Sequence, residues 1–352
     1  MADATGMRTV RPHRPGAGWC GRLTALLAVI CVAGHACVSC ATWGLLADFR
    51  YGLRVTNDAV PPDVPAVRRV AFSTFDDYSL ALDLFFPPEP VSNPHSYPLI
   101  VHLHGGGWVT GVRSAGAAVP EIEALVSRGY VVASIDYRLA PEHRFPAALE
   151  DLELALGYLH EHAHFFGFSS DRVGLLATSA GAHLALLYVL GVNGAASAET
   201  QAGATGDAAT PDARWQPGMI GLQVGAVVAM YGPTDLCEYL RGVRKVLLRR
   251  VFGVRSIYDP VIVEASPFHC ALEDAPPILL IHGDRDRLVD PAQSRKLAGS
   301  LEEAGTEGYL LVVSGAGHSL RPVFRQPMEP DRQGVTALVV EFFDAFLAEP
   351  DR

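Results

Sequence analysis

The chain has 352 residues, of which 49% are apolar and 19% are charged, and its formal net charge is −10. This composition is typical of a globular protein and argues against a disordered one. Because the net charge is negative, the chain offers no general basic surface for phosphates. Nucleic acid is therefore not an expected partner, and a small organic substrate fits the composition better.

The first segment differs from the rest of the chain. Several arginines precede an apolar run from Leu23 to Gly34, and small residues follow as far as Ala41. This order is typical of a secretory signal, and the run as far as Leu46 is also about long enough for one membrane anchor. We expect residues 1–46 to be a signal peptide or membrane anchor of an exported or membrane-attached protein. A buried N-terminal helix of a cytoplasmic protein is the alternative.

From Val67 onward, short apolar runs alternate with helical patterns. This alternation predicts one α/β domain over residues 47–350, with a mostly parallel sheet and helices on both faces. Strands are predicted at Ala81–Phe85, Leu99–His102, Val131–Ile135, Val173–Ala177, Ala226–Met230, Ile278–Ile281 and Tyr309–Val313. Helices are predicted at Ala118–Arg128, Pro146–Ala163, Ala180–Leu190, Pro291–Ala304 and Gln333–Ala348.

Two segments interrupt this pattern. Residues 194–218 contain almost no large apolar side chain, so we expect a flexible insertion there. Residues 236–266 are predicted to form a small helical cap, in which Leu240, Val243, Leu247 and Val251 share one apolar face. The other sides of this helix are basic, which fits a solvated lid, a membrane surface or an acidic substrate. These basic residues are Arg241, Arg244, Lys245, Arg249 and Arg250.

Ser179 stands between an apolar strand and a helical pattern. A nucleophilic serine on such a tight strand-to-helix turn needs very small neighbours, and the turn holds its Oγ clear of the sheet. Ala180 and Gly181 meet this need, although Ala177 stands where the G-x-S-x-G pattern has its first glycine. Alone, the pattern also fits a helix N-terminus with a capping hydroxyl.

A glycine loop follows the strand predicted at Leu99–His102. It reads His104, Gly105, Gly106, Gly107 and Trp108. Consecutive glycines leave backbone N–H groups free to turn toward a ligand, as an oxyanion requires. Gly106 and Gly107 are predicted to donate two hydrogen bonds to the oxyanion, and the N–H of Ala180 a third.

A serine nucleophile needs a base, because its hydroxyl is not ionised at neutral pH, and the base needs a carboxylate to fix its tautomer. In proteins that carry a nucleophilic serine on such a strand-to-helix turn, the acid and the histidine follow the serine in the chain, each on a loop after a strand. His318 is the candidate base. Asp286 is its natural partner, with Asp284 and Asp290 as competitors.

Together these motifs resemble the hormone-sensitive-lipase branch of the α/β hydrolases. The resemblance rests on HGGGW, DYRLAPEHRFPAALED, ATSAG, HGDRDRLVD and GAGHS, in this order. It implies the α/β-hydrolase fold and a serine carboxylesterase, usually without a cofactor. It also implies that Asp286 is the triad acid, that Asp284 is structural, and that Asp136, Tyr137 and Arg138 brace the glycine loop. The glycine loop with Trp108 suggests a confined site, so we expect short to medium acyl esters as substrates.

Other activities stay open at this point. An arylformamidase-like amide hydrolase or an acyltransferase would use the same fold, and a non-catalytic receptor would bind a small molecule without chemistry. The serine, acid and histidine argue against the receptor, since binding alone does not require all three. The sequence does not predict the oligomeric state, and it leaves open whether Cys237 and Cys270 pair.

The remaining histidines do not favour a metal site. His160 and His164 would share a helical face, with His162 between them, but no carboxylate completes a ligand set. His102 and His183 are expected to pack beside the active site, and His282 to support its loop.

Overall fold

The computed structural model describes residues 67–75, 78–88, 97–114, 118–201, 222–324 and 327–347. The signal peptide or anchor predicted at residues 1–46 lies outside these residues. Within the described segments, no helix combines the length and the apolar character that crossing a bilayer requires.

An eight-stranded sheet forms the centre of the fold. The strands are β1 (Val67–Thr74), β2 (Ser79–Phe85), β3 (Tyr97–Leu103), β4 (Val131–Ile135), β5 (Phe168–Thr178), β6 (Val224–Met230), β7 (Ile278–Gly283) and β8 (Gly308–Val313). Their spatial order is β1-β2-β4-β3-β5-β6-β7-β8. The last six strands in this order are parallel, while β1 and β2 add antiparallel pairs at one edge. The predicted mostly parallel sheet is confirmed.

The prediction missed β1, the edge strand. Arg68 and Arg69 lie near its start, so its sequence lacks the clear apolar pattern of a buried strand. An edge strand tolerates such residues, because one side of its backbone has no neighbouring strand. The Nε of Arg69 donates to Oδ1 of the buried Asp83 on β2 at 2.9 Å, so this arginine helps to attach β1 to the sheet.

Eight α-helices are present among the described residues. They are α1 (Val119–Arg128), α2 (Ala147–Phe166), α3 (Ala180–Gln201), α4 (Leu236–Tyr239), α5 (Val246–Val251), α6 (Pro260–Glu264), α7 (Ala292–Glu303) and α8 (Arg332–Leu347). The five predicted helices correspond to α1, α2, α3, α7 and α8. The helix predicted at Ala180–Leu190 is longer than expected, because α3 continues to Gln201 and so includes the first residues of the segment predicted as a flexible insertion. Alanine and glutamate favour helix in this stretch despite Gly194, and residues 202–221 lie outside the described part.

The helices cover both faces of the sheet. On β3, Leu99, Val101 and Leu103 pack into the layer that contains α2, α3 and α7. Ile100 points to the other face, where its neighbours include residues of α1 and α8. This alternation follows from the two-residue repeat of a strand, and burial on both faces explains the apolar runs inside the parallel strands, such as Leu99–Val101 and Ile278–Ile281.

The predicted cap at residues 236–266 is helical but broken. It contains α4, a 3₁₀ turn at Gly242–Lys245, α5 and α6 instead of one continuous amphipathic helix. Gly242 has φ 61°, a left-handed conformation that interrupts the helix between Leu240 and α5. The predicted apolar face is therefore only partly right. Leu240, Leu248 and Val251 are buried, whereas Leu247 is only partly buried.

Candidate active site

Ser179 occupies the turn between β5 and α3. Its φ is 52°, a strained conformation for a residue with a Cβ. The turn is held because the N–H of Ser179 donates to the carbonyl of Met230 on β6 at 2.9 Å. Thr178 and Ala180 on either side are buried, while Ser179 itself is partly exposed. The strained turn thus leaves the Ser179 side chain accessible at the edge of the sheet.

The residues around this turn explain its departure from the usual glycine pattern. Ala177 lies inside β5, paired with Leu103 and Ala229, and it is not among the residues with positive φ. An alanine therefore fits there without strain. Gly181 is different, because an added Cβ would lie 2.4 Å from the carbonyl oxygen of Leu103 and 2.5 Å from that of His104. Only glycine lets α3 approach β3 this closely.

A chain of two hydrogen bonds joins Ser179, His318 and Asp286. The Oγ of Ser179 lies 3.1 Å from Nε2 of His318, and Nδ1 of His318 lies 2.8 Å from Oδ2 of Asp286. A carboxylate only accepts hydrogen bonds, so Nδ1 carries the hydrogen and Nε2 is left to accept the hydroxyl proton. Nε2 of His318 is therefore placed to accept the proton of the Ser179 hydroxyl.

The surroundings of Asp286 keep its carboxylate charged. Burial by itself raises its pKa, but the charge of His318 and hydrogen bonds from His282 and His318 outweigh burial and hold the pKa far below its usual range. Its Oδ1 also accepts the backbone N–H groups of Leu288 and Val289, at 2.8 and 2.9 Å. An ionised, fully hydrogen-bonded Asp286 can fix the tautomer of His318.

The two competing carboxylates have other partners. Asp284 accepts the backbone N–H of Gly315 at 2.8 Å, which ties the β7 loop to the β8 loop. Asp290 accepts the N–H of Ala292 at 2.9 Å, at the start of α7. Both side chains therefore stabilise the loops, and Asp286 is the carboxylate bonded to His318.

The glycine loop passes directly beside Ser179. A Cβ on Gly105 would lie 3.1 Å from the Cβ of Ser179, and one on Gly106 would lie 1.9 Å from the carbonyl oxygen of Thr110. Gly106 and Gly107 have φ 129° and 61°. These contacts and dihedrals require glycine, so the loop backbone can approach the serine closely. Ala180 opens α3, where N–H groups have no partner within the helix.

The glycine loop is braced from below by the segment after β4. The rings of His104 and Tyr137 stack with centroids 4.2 Å apart, and the Tyr137 hydroxyl donates to the His104 carbonyl at 2.8 Å. Asp136 pairs with the guanidinium of Arg113 and accepts its backbone N–H. Arg138 binds Asp151 on α2. His104 is buried, and burial lowers its pKa, so it supports the loop as a neutral ring.

Trp108 forms a fixed wall next to the glycine loop. Its Nε1 donates to Nδ1 of His183 at 3.2 Å, and Nε2 of His183 donates to the Ala265 carbonyl at 2.7 Å. The edges of Tyr239 and Phe252 complete the cage around the indole. His183 thus does more than pack: it links α3, which begins directly after Ser179, to the glycine loop and the cap.

This role of His183 predicts a pH-dependent stability. Burial lowers the pKa of His183 to about 4, whereas an unfolded histidine titrates near 6.5. Below pH 6.5 the unfolded chain binds more protons, so the folded state loses stability as the pH falls toward 4. The wild-type free energy of unfolding should fall between pH 7 and pH 5 in part because of His183. We expect His183→Gln to make this fall smaller by about 2 kcal/mol. Urea unfolding at both pH values measures this difference. An unchanged loss in the variant would contradict the buried neutral ring.

The sequence reasoning missed several residues at the site. Tyr231 is buried with φ 45° and sets its ring against His318, with centroids 4.8 Å apart. Its place directly after β6, at the edge where the other site residues lie, was a usable signal. Tyr239 and Phe252 come from the cap, and nothing in their local sequence indicates contact with Trp108.

One cluster in the described part of the chain has the residue types of a metal site. Ligand atoms of Asp235, Cys237 and His269 lie within 4.8 Å of one another. However, the ammonium of Lys296 lies 3.8 Å from Asp235 and 2.5 Å from Glu238. This cation already balances the carboxylates and would repel a metal ion, so the cluster does not fit a metal.

Within the described residues, the histidines of α2 do not form a ligand cluster, and the two cysteines near the cap are not paired with each other. His160 and His164 are exposed near the end of α2, and His162 stacks on Tyr158 with centroids 4.1 Å apart. Cys237 and Cys270 are free thiols.

Comparison with known proteins places the chain in a family. The family model described as BD-FAE matches residues 82–301, which is more than half of the chain. The chain belongs to the BD-FAE family. The match runs from β2 to α7 and includes the glycine loop, Ser179 and Asp286, so the implied membership of the α/β hydrolases is confirmed.

Curated relatives of this BD-FAE protein carry esterase names. Esterase LipC of Mycobacterium tuberculosis is 31% identical over 287 residues, covering 78% of this chain and 64% of the relative. A probable isoprenylcysteine alpha-carbonyl methylesterase of Oryza sativa is 28% identical, covering 76% of this chain and 61% of the relative. A third relative, Esterase LipQ of M. tuberculosis, is matched over 46% of its length. The chain thus spans only about half to two thirds of these relatives.

Solved structures support the fold. Thermogutta terrifontis esterase 2 superimposes with a TM-score of 0.61 at 24% identity, covering 82% of this chain and 99% of that one. A truncated carbohydrate esterase from gut microbiota gives a TM-score of 0.59 at 22% identity, covering 81% of this chain and 95% of the other. The BD-FAE protein therefore shares the architecture of these esterases.

Proposed function

We propose that this BD-FAE protein is a serine carboxylic-ester hydrolase with Ser179 as nucleophile, His318 as base and Asp286 as acid. The observation that carries the proposal is the hydrogen-bonded chain from Ser179 through His318 to Asp286, with the serine on a strained turn beside the glycine loop. The esterase names of the curated relatives also support it.

The acylation half of the reaction begins with proton transfer. Nε2 of His318 takes the Ser179 proton as Oγ attacks the acyl carbonyl, and the carbonyl oxygen becomes an oxyanion. The oxyanion is stabilised by the N–H groups of Gly106, Gly107 and Ala180. Loss of one such donor raises the activation free energy by about 3 kcal/mol. Collapse of the intermediate breaks the ester bond, and the departing alcohol takes the proton from His318.

Deacylation repeats these steps with water. His318 removes a proton from a water molecule as it attacks the acyl-enzyme, and the acid leaves as Ser179 recovers its proton. Asp286 stays ionised throughout, because its low pKa keeps the carboxylate available to stabilise protonated His318.

The fixed position of Trp108 favours a substrate with a short acyl group. Trp108 is only 4% exposed, and its hydrogen bond to His183 and its two cap contacts keep the indole from swinging aside. The narrow apolar cavity behind it is lined by Ala140, Phe145, Leu184, Val251 and Phe252. We propose that acyl chains of two to six carbons fit in front of Trp108 and that longer chains meet its ring.

An ester series tests this proposal. We expect p-nitrophenyl esters from acetate to hexanoate to give the highest kcat/KM, and palmitate the lowest. Trp108→Ala should move the optimum toward longer chains, because it removes the wall and opens the cavity behind it. Hydrolysis rates across the series, measured on the purified full chain and on the variant, provide the comparison. An optimum above ten carbons in the wild type would refute the size limit, and no hydrolysis of any ester would refute the esterase.

A further inference from the structure

The outer surface of the cap is strongly basic. Residues 241–258 contain six basic residues and no acidic residue, in a chain whose net charge is −10. Arg244 is partly buried, and the other five are exposed. Val246 and Tyr258 lie among them and are 59% and 80% exposed. We call this surface the cap patch. It consists of Arg241, Lys245, Val246, Arg249, Arg250, Arg255 and Tyr258.

The periodicity of α5 explains how the patch forms. Leu248 and Val251 are buried in the core beneath the helix. At about 100° per residue, Val246, Arg249 and Arg250 fall on the opposite side, with Lys245 beside them. The short helix therefore presents one apolar side to the protein and one basic side, with an exposed valine, to solvent.

The segment that carries the cap patch, residues 241–258, contacts the loops of the active site. Nη2 of Arg244 donates to the carbonyl of Arg287 at 3.3 Å, and Arg287 directly follows Asp286. The guanidinium of Arg287 lies 5.9 Å from the ring of Phe324, which is 80% exposed. On the inner side of the cap, Phe252 packs against Trp108. Basic and apolar groups thus continue from the patch to the loops that carry the catalytic residues.

We propose that the cap patch docks on an anionic membrane surface and brings the active site to esters held in that membrane. A small anion would need cations that converge in a pocket, whereas these cations are exposed and spread over an 18-residue segment. Exposed Val246 and Tyr258 would enter the headgroup region, while the arginines pair with anionic lipids. Docking itself does not depend on catalysis. Only the delivery of the ester rests on the proposed function.

Vesicle binding by the full chain tests the proposal. All three proteins compared, the parent and two double variants, carry Ser179→Ala, so no lipid is consumed. Each basic residue near an anionic bilayer contributes about 1 kcal/mol, or about 5-fold in affinity, so Arg249→Gln with Arg250→Gln should weaken binding to phosphatidylglycerol-containing vesicles about 30-fold. The matched control is Arg128→Gln with Arg295→Gln, two exposed arginines outside the patch, and it should change binding less than 3-fold.

The N-terminal segment is the same in all of these proteins, so its contribution to binding cancels in the comparison. Equal losses in the two double variants would overturn the proposal. So would binding to pure phosphatidylcholine as tight as to the anionic vesicles, or equal affinity for a DNA duplex, which would mark a general polyanion site. Hydrolysis of a soluble short ester by proteins with Ser179 intact reports separately on the proposed function, and the patch variants should retain it.

Discussion

Replacing Ser179 by alanine is expected to lower kcat/KM for p-nitrophenyl acetate by at least about 10⁴-fold. The substitution removes the hydroxyl that would form the acyl-enzyme in the proposed mechanism, while leaving the glycine loop and the His318–Asp286 pair in place. The remaining rate should come from oxyanion stabilisation and binding alone. Initial rates over a range of ester concentrations, on protein whose thermal unfolding matches the wild type, measure the loss.

The same chemical change elsewhere provides the control. Ser314 is exposed on the loop after β8, four residues before His318, so Ser314→Ala removes a hydroxyl near the site without touching the chain of hydrogen bonds. We expect it to retain the wild-type rate within about 3-fold, as is usual for an exposed substitution. A folded Ser179→Ala protein that still hydrolyses the ester at the wild-type rate would refute the assignment of the nucleophile.

Asp286→Asn is expected to lower kcat by between about 10² and 10⁴-fold. The amide keeps the shape of the side chain but loses the negative charge, and its NH₂ group can donate to Nδ1 of His318. This favours the tautomer in which Nε2 carries the hydrogen, so His318 could no longer accept the proton of Ser179. Steady-state kinetics near neutral pH, with KM determined separately, measure the effect.

Asp284→Asn is the matched control for this prediction. It lies two residues away on the same loop, and its carboxylate accepts a backbone N–H that an asparagine oxygen can also accept. We expect less than a 10-fold decrease in kcat. If Asp284→Asn reduced kcat as much as Asp286→Asn does, the assignment of the acid would be wrong.

Much of the fold was predictable because buried strands leave apolar runs in the sequence. The parallel strands are covered on both faces, so β3 and β7 contain the apolar runs Leu99–Val101 and Ile278–Ile281, and the alternation with helices predicts an α/β sheet. The candidate site was predictable for a related reason. Ser179 directly follows β5, and Asp286 and His318 lie on the loops that follow β7 and β8. The carboxyl ends of parallel strands meet at one edge of the sheet.

What the sequence did not predict depends on contacts between distant residues. β1 is stabilised by its pairing with β2 and by the bond from Arg69 to Asp83, neither of which leaves an apolar pattern. The residues alone did not separate Asp284 from Asp286, because both lie within three residues on one loop. They are distinguished by their partners in the fold, the N–H of Gly315 for Asp284 and His318 for Asp286. The contact between Phe252 and Trp108 joins residues far apart in the chain.

The most direct test of the nucleophile is the position of a covalent adduct. A fluorophosphonate probe reacts with a serine whose hydroxyl is activated by a base, and peptide mass spectrometry locates the phosphonylated residue. We predict a single adduct, on Ser179, and labelling at least about 100-fold slower in His318→Gln, which lacks the base. An adduct on a different serine, or no adduct on folded wild-type protein, would contradict the proposed active site.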